Sequence, residues 1–251
     1  PATDDTRLSN VVLRTAVRMR LGLPVSVCQT PATSTCKCGR PIDPFGDHLL
    51  SCKHGKEWYT RHSALKLKLM RIIRQAGLTP HAETQVRDLG ATPVKPGDKV
   101  DIDFVAPDGN VTALDVTCVH ACAASYVAAA AVKDGATLHA AEVKKNTHYA
   151  RALRDAGHRF LPAAVETLGR WSGAVARLLH ELAKHRTDAA AADNEFLHTR
   201  QIDQWWKLLS CGLQKTNVHL LLSRATAADR AANDAGADET PLADLYVREW
   251  V

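Results

Sequence analysis

The sequence lacks long apolar segments, a secretory signal and internal repeats. None of its apolar runs approaches the roughly 18 residues that a membrane-spanning helix needs. The first ten residues, PATDDTRLSN, are polar and acidic, which does not fit a signal peptide. These absences predict a protein of the cell interior that makes no use of a membrane.

The cysteines also exclude one class of protein. There are seven of them, an odd number, and three fall between residues 36 and 52. This argues against a framework of disulfides and favours an intracellular chain with a metal-binding segment. A hydrophobic content of 45% and a charged content of 24% are typical of globular chains. A formal net charge of +5 permits a polyanionic partner without requiring one.

The cysteine cluster has the spacing of a zinc site. It begins with Cys-Lys-Cys-Gly and runs through Asp-Pro-Phe-Gly-Asp-His to a third cysteine. Three thiolates and one imidazole can close a tetrahedron around zinc and leave no open position for chemistry. We therefore predict a structural zinc ion, because a segment this rich in glycine and proline has little core of its own. The predicted ligands are Cys36, Cys38, His48 and Cys52, with His54 or Cys28 as an alternative for one of them.

Residues 99–117, KVDIDFVAPDGNVTALDVT, contain two stretches in which apolar and polar residues alternate. A period of two predicts two strands, and Pro-Asp-Gly at 107–109 predicts a three-residue hairpin loop between them. This register places Asp101 opposite Asp115, about 5 Å away on one face. Two such carboxylates repel each other unless a cation lies between them, and a divalent metal suits hard oxygen ligands. The alternative is two solvated aspartates on an ordinary hairpin.

Hydrophobic periodicity predicts the other elements. Before the hairpin they are a helix at 57–75 and a strand at 79–88, and after it an alanine-rich helix at 123–156 and a strand at 158–166. Further helices are predicted at 5–20, 169–184, 195–209 and 213–232, with a last helical turn at 242–251. The order indicates an α/β protein. The predicted domains are 1–56 with the zinc segment, 57–186 as the core and 187–251 as a helical C-terminal extension.

Several motifs occur in a specific joint order. They are CxCG followed by DPFGDHxxxC at 36–52, RHS at 61–63, VDI at 100–102, LDVT at 114–117, AEVKKNTHYA at 141–150 and LPAAVETLG at 161–169. In these motifs the chain resembles the restriction-like, PD-(D/E)XK, endonuclease domain at the C-terminal end of site-specific non-LTR retrotransposon proteins. The resemblance implies a mixed central sheet flanked by helices, a CCHC zinc knuckle before it and a helical tail after it.

The resemblance also implies roles for single residues. Asp101 and Asp115 match the two acids that, with the Val116 carbonyl, would hold magnesium or manganese. The lysine usually found two residues after the second acid is absent, since Thr117 stands there. Lys145 is the implied replacement, with Lys144 as its rival. Glu83 matches an acid on the first strand, and Asp103 competes with it. Arg61 and His62 are interpreted as an ordinary surface pair.

The activity so implied is that of a metal-dependent endonuclease, a phosphodiester hydrolase. It would nick target DNA so that a reverse transcriptase uses the free 3′ hydroxyl as primer. Implied partners are DNA, RNA and a reverse transcriptase part of the same polyprotein, in the nucleus. The alternative is a catalytically degenerate nucleic-acid-binding module with a zinc knuckle. A third reading takes the alanine-rich helices and the tail with Trp205 and Trp206 as a protein interaction surface.

Overall fold

The computed structural model describes residues 4–28, 35–189 and 195–233. The strands are β1 His81–Gln85, β2 Lys99–Val105, β3 Val111–Val119 and β4 Arg159–Glu166. The helices are α1 Asn10–Arg20, α2 Asp47–Ser51, α3 Glu57–Gln75, α4 Val127–Val132, α5 Ala136–Lys145, α6 Arg151–Asp155, α7 Gly173–Ala189 and α8 Glu195–Asn233. Shorter 3-10 turns are Asp4–Thr6, Ser26–Cys28 and Val86–Leu89, and a π-helical turn is Asn146–Ala150.

The four strands form one mixed sheet in the order β1-β2-β3-β4. The first two neighbouring pairs are antiparallel, and β3 and β4 are parallel. The β2–β3 loop is the predicted three-residue turn, because the Ala106 N–H donates to the Asn110 carbonyl at 2.8 Å. Gly109 has a φ of +83°, a left-handed conformation that glycine adopts without strain. The predicted α/β class is therefore confirmed.

Both faces of the sheet are covered by helices. Neighbouring residues in β3 pack into different clusters, Leu114 with α3, α7 and α8, and Ala113 with Leu153 of α6. Because side chains alternate across a strand, these clusters lie on opposite faces. Trp205 is only 1% exposed within the larger cluster, so it is a core residue and not part of an interaction surface.

Three predicted helices differ in extent from the observed ones. The alanine-rich segment at 123–156 is not one helix, because Lys133 is extended and Gly135 is left-handed at φ +72°, which separates α4 from α5. In contrast, the two helices predicted at 195–209 and 213–232 are one helix, α8. Gly212 lies inside α8 and does not end it, and a Cβ there would meet only the flexible end of the Lys68 side chain.

Smaller corrections concern the ends of elements. The first helix begins at Asn10, because the Ser9 hydroxyl accepts a hydrogen bond from the Val12 N–H and caps it. The strand predicted at 79–88 is shorter, since the chain turns into a 3-10 helix at Val86. The predicted helical turn at 242–251 lies outside the described residues.

The described chain groups into two compact units. The sheet unit comprises residues 4–7 and 62–213, and the knuckle unit comprises residues 8–61 and 214–233. The sheet unit contains the whole sheet and its hydrophobic clusters. The predicted domain boundaries stay a prediction. Within the described ranges, no helix combines the length and apolar character needed to span a membrane.

Candidate functional site

The four predicted zinc ligands converge in the knuckle unit. The ligating atoms of Cys36, Cys38, His48 and Cys52 all lie within 4.8 Å of one another. Cys36 Sγ is 3.8 Å from Cys52 Sγ, and Cys38 Sγ is 3.2 Å from His48 Nε2. A tetrahedral zinc ion with Zn–S bonds of about 2.3 Å separates two sulfurs by roughly 3.8 Å. The cluster could therefore hold a zinc ion without rearrangement of Cys36 and Cys52.

Two tight turns bring these ligands together. The Gly39 N–H donates to the Cys36 carbonyl at 2.7 Å, and Gly39 is left-handed at φ +82°. The Asp43 carboxylate accepts hydrogen bonds from the N–H groups of Phe45, Asp47 and His48 at 2.7–3.0 Å. These bonds satisfy backbone donors at the start of α2, which carries His48 in its first turn. The Asp-Pro-Phe-Gly-Asp-His sequence thus positions the imidazole.

Protonation tendencies differ among the members of the cluster. Burial lowers the pKa of His48, which favours the neutral ring that binds a metal. Burial raises the pKa of the Cys36 thiol to about 11, whereas the Arg40 N–H lowers the pKa of Cys38. Cys28 does not belong to the cluster, and burial raises its pKa to about 12. Neither Cys28 nor His54 replaces a predicted ligand in this arrangement.

Two buried arginines bind the backbone carbonyls around the cluster. Arg224 of α8 is 5% exposed and donates to the carbonyls of Leu49, Cys52 at 2.9 Å and His54 at 2.6 Å. Arg61 is also 5% exposed and donates to the Leu50 carbonyl at 3.1 Å. Its interpretation as a surface residue is therefore wrong, because its guanidinium is buried and also donates to Asn217 Oδ1 at 3.2 Å.

The Asp101 carboxylate on β2 is fixed by two donors of the sheet unit. Its Oδ2 accepts from the Val116 N–H at 2.6 Å and lies 3.0 Å from His62 Nε2. Burial lowers the pKa of His62, but the hydrogen bond and negative charge of Asp101 raise it by more, so the pKa of His62 is raised overall. The Val116 residue predicted as a metal ligand thus contacts Asp101 through its N–H. His62 of α3 is half-buried and faces an acid, so it is not a surface residue either.

Asp115 on β3 lies beside the predicted lysine. Lys145 Nζ is 2.5 Å from Asp115 Oδ1, although the angles leave that buried oxygen without a well-directed hydrogen bond. Burial raises the pKa of Asp115, Lys145 opposes the increase and the nearby negative charge of Asp101 adds to it. Asp101 therefore lies close enough to Asp115 to influence its ionisation. The positive charge of Lys145 favours the charged form of the Asp115 carboxyl group.

The lysine is positioned by an irregular turn. Lys145 ends α5, and the π-helical turn Asn146–Ala150 follows it directly. Such wide turns are frequent at functional sites because they change the phase of a helix. Tyr149 in this turn donates to the Lys99 carbonyl at 3.0 Å, and its ring centroid lies 5.9 Å from Lys145 Nζ. Lys144 is exposed, so the structure brings Lys145 and not its rival to Asp115.

The other two predicted acids have partners on neighbouring elements. Glu83 on β1 forms an ion pair with the nearly buried Lys66, and its φ of +58° is unusual for a residue other than glycine. Asp103 is 6% exposed and accepts from Thr84, with His81 at 3.2 Å. Side chains of β1 therefore contact the Asp103 carboxylate. Glu83 lies between Ala82 and Thr84, which pair with Ile102 and Val100 on either side of Asp101.

The sequence interpretation missed two cations on α3 that face these acids. His62 and Lys66 are four residues apart, hence on one side of the helix, and they contact Asp101 and Glu83. The four-residue spacing is apparent in the sequence, but the acids that these two side chains contact lie on strands far along the chain. His148 Nε2 lies 3.0 Å from Asp98 Oδ2.

Asp101 and Asp115 could supply hard oxygen ligands for a divalent cation. Asp115 Oδ1 already contacts one positive charge, the ammonium of Lys145. Magnesium usually needs only one or two protein carboxylates, because water and substrate complete its coordination. Comparison of the chain with protein-family models finds no match, and a search of curated proteins finds none either.

Proposed function

We propose that this chain is a metal-dependent DNA endonuclease with a PD-(D/E)XK-type site, which nicks DNA by phosphodiester hydrolysis. The observation that carries the proposal is the convergence of Asp101, Asp115 and Lys145 from three elements. The strand order and the antiparallel hairpin followed by a parallel strand suit that class of core.

In this proposal the two acids bind a cation, and the lysine stabilises negative charge on the phosphate. Asp101 and Asp115 would hold magnesium or manganese, which supplies a water of lowered pKa and Lewis-acid stabilisation of the phosphate. The Val116 N–H and His62 fix Asp101 in one orientation, so little reordering is needed when a substrate arrives. Lys145 places a positive charge beside the acids, where it can stabilise negative charge that develops on the phosphate.

The Cys36, Cys38, His48 and Cys52 cluster would hold a structural zinc ion. Its four ligands leave no open coordination position, so it orders the knuckle unit and takes no part in hydrolysis. We further propose a retroelement context with nuclear location, in which the nick primes reverse transcription. RNA and a reverse transcriptase part of the same polyprotein are the partners of that context.

Nicking of supercoiled plasmid tests this function. Asp101→Asn and Asp115→Asn should each reduce magnesium-dependent nicking by about a hundredfold or more, because each removes a charged oxygen ligand. Lys145→Gln should reduce nicking by about 10²-fold, whereas Lys144→Gln, its exposed neighbour, should leave it within twofold. Circular dichroism spectra of the variants control for folding. Full activity in both aspartate variants would refute the proposal.

The second candidate is a nucleic-acid-binding module without catalysis. Thr117 at the position of the usual lysine, and the direct ion pair of Lys145 with Asp115, favour it. Binding would then weaken with salt by a log-log slope of about 0.9 for each duplex phosphate contact, with no dependence on magnesium. Binding without nicking at any magnesium or manganese concentration would select this candidate.

A further inference from the structure

Two large aromatic side chains are exposed at the start of α3 in the knuckle unit. Trp58 is 42% exposed and Tyr59 is 54% exposed, and their ring centroids lie 6.0 Å apart in an edge arrangement. Lys53 and Lys56, just before them, are also exposed. We call Lys53, Lys56, Trp58 and Tyr59 the aromatic platform.

The segment that carries the aromatic platform has an excess of basic residues in its sequence. Residues 8–61 contain eight lysines and arginines but only three acids. Asp43 uses its carboxylate to bind backbone N–H groups of α2, and Glu57 lies 3.4 Å from the buried Arg224. Two of the three acids are thus occupied inside the unit. The excess positive charge is complementary to a phosphate backbone.

The platform is also held in place before any ligand binds. Arg224 donates to the carbonyls of Cys52 and His54, which flank Lys53. Gly55 turns the chain at φ +88°, and the N–H of Tyr59 donates to the Lys56 carbonyl at 3.0 Å to begin α3. A fixed surface loses little conformational entropy on binding, which favours affinity.

We propose that the aromatic platform binds single-stranded nucleic acid by stacking unpaired bases on Trp58 and Tyr59. Exposed rings beside lysines are the usual means of holding single strands, because each base has a flat face and each nucleotide a phosphate. In a duplex the base faces are already stacked and cannot reach such rings. The platform would hold a displaced or unpaired strand. This assigns a single-stranded form to the substrate of the proposed endonuclease, and in that respect the inference rests on the proposed function.

Fluorescence anisotropy with labelled 15-residue oligonucleotides tests the platform in the full chain. The probes are oligo(dT), oligo(U) and a blunt 15-base-pair DNA duplex, in buffer without magnesium. Trp58→Ala/Tyr59→Ala should weaken binding of the single strands by at least about tenfold and change duplex binding by less than about twofold. Trp58→Phe/Tyr59→Phe, which keeps two rings, should retain most of the affinity. Phe196→Ala, at a 67% exposed aromatic of the sheet unit, is the matched control and should have no effect.

Indole fluorescence supplies a readout that charge alone would not change. Oligo(dT) should quench part of the tryptophan emission of the wild type, and the quench should be smaller in Trp58→Phe. Stronger binding of oligo(U) would identify RNA as the ligand, and stronger binding of oligo(dT) would identify DNA. Equal loss of duplex and single-strand binding, or unchanged single-strand binding in the double alanine variant, would overturn the proposal. Because no cleavage is measured, these results are independent of the nicking test.

Discussion

Asp115 is the residue at which stability and activity are opposed. Burial raises the pKa of its carboxyl group, so the fold disfavours the charged form that the proposed chemistry needs. Lys145 compensates for part of this cost. Carboxylates arranged in this way are typical of functional sites, since a protein selected only for stability would place a neutral side chain there.

Asp115→Asn should therefore raise the free energy of unfolding by about 1 kcal/mol at neutral pH. A carboxyl group with a raised pKa contributes its full stability below its ordinary value of 3.8 and loses it as the pH rises through the raised pKa. Asparagine does not ionise, so the advantage of the variant should grow from about pH 4 to about pH 7. Urea titrations of both proteins in magnesium-free buffer measure the difference in the free energy of unfolding. A variant less stable than wild type at pH 7 would contradict the prediction.

Pattern and resemblance predict Asp101, Asp115 and Lys145 as site residues, and the structure brings the lysine to one of the acids. Arg61 and His62 were misread, because a helix shows which residues share a side but not what that side meets. The partner of His62 is 39 residues away on a strand, a separation that periodicity does not bridge.

Among the elements, α3 and the β2–β3 hairpin follow their local sequence. Helix α3 has the predicted bounds, since Leu65, Leu69, Ile72 and Ile73 recur at helical spacing and are fully buried. Helix α8 does not follow from local sequence. Its buried Arg224 binds backbone carbonyls near the Cys/His cluster, and a single sequence without tertiary contacts cannot distinguish a glycine inside a helix, such as Gly212, from one at a helix end.

The contact between α8 and the Cys/His cluster leads to a prediction on metal binding. Arg224→Ala should weaken zinc binding by about tenfold or more. The variant removes the hydrogen-bond donor of the Leu49, Cys52 and His54 carbonyls, so the segment that carries the ligand Cys52 is held less firmly. Competition with a chelating dye measures the affinity. Arg14→Ala, at an exposed arginine of α1, is the control and should leave zinc affinity unchanged. An unaltered affinity in a folded Arg224→Ala protein would contradict this role.

The whole molecule has two units with different sources of stability. The sheet unit has a large apolar core contributed by the sheet and α3, α7 and α8. The knuckle unit has short elements around the Cys/His cluster and depends on polar contacts such as those of Arg224. A metal ion that closes such a segment contributes directly to its folding.

Removal of zinc by a chelator should therefore affect the two units unequally. Amides of residues 36–61 and 214–228 should lose hydrogen-exchange protection, whereas amides of β2, β3 and β4 should keep most of theirs. Mass spectrometry of peptides from the chelated and zinc-loaded protein provides the comparison. Equal loss of protection across the sheet would show that one cooperative core extends over both units, contrary to this prediction.

The environments of the sulfur atoms have a practical consequence for attaching probes. Cys28 is buried with a pKa raised to about 12, and three further thiols would be shielded by zinc, whereas Cys122 is exposed. A maleimide dye at neutral pH should alkylate Cys122 first. Brief labelling of the zinc-loaded wild type would thus give a reporter on the sheet unit, without engineering of the other cysteines.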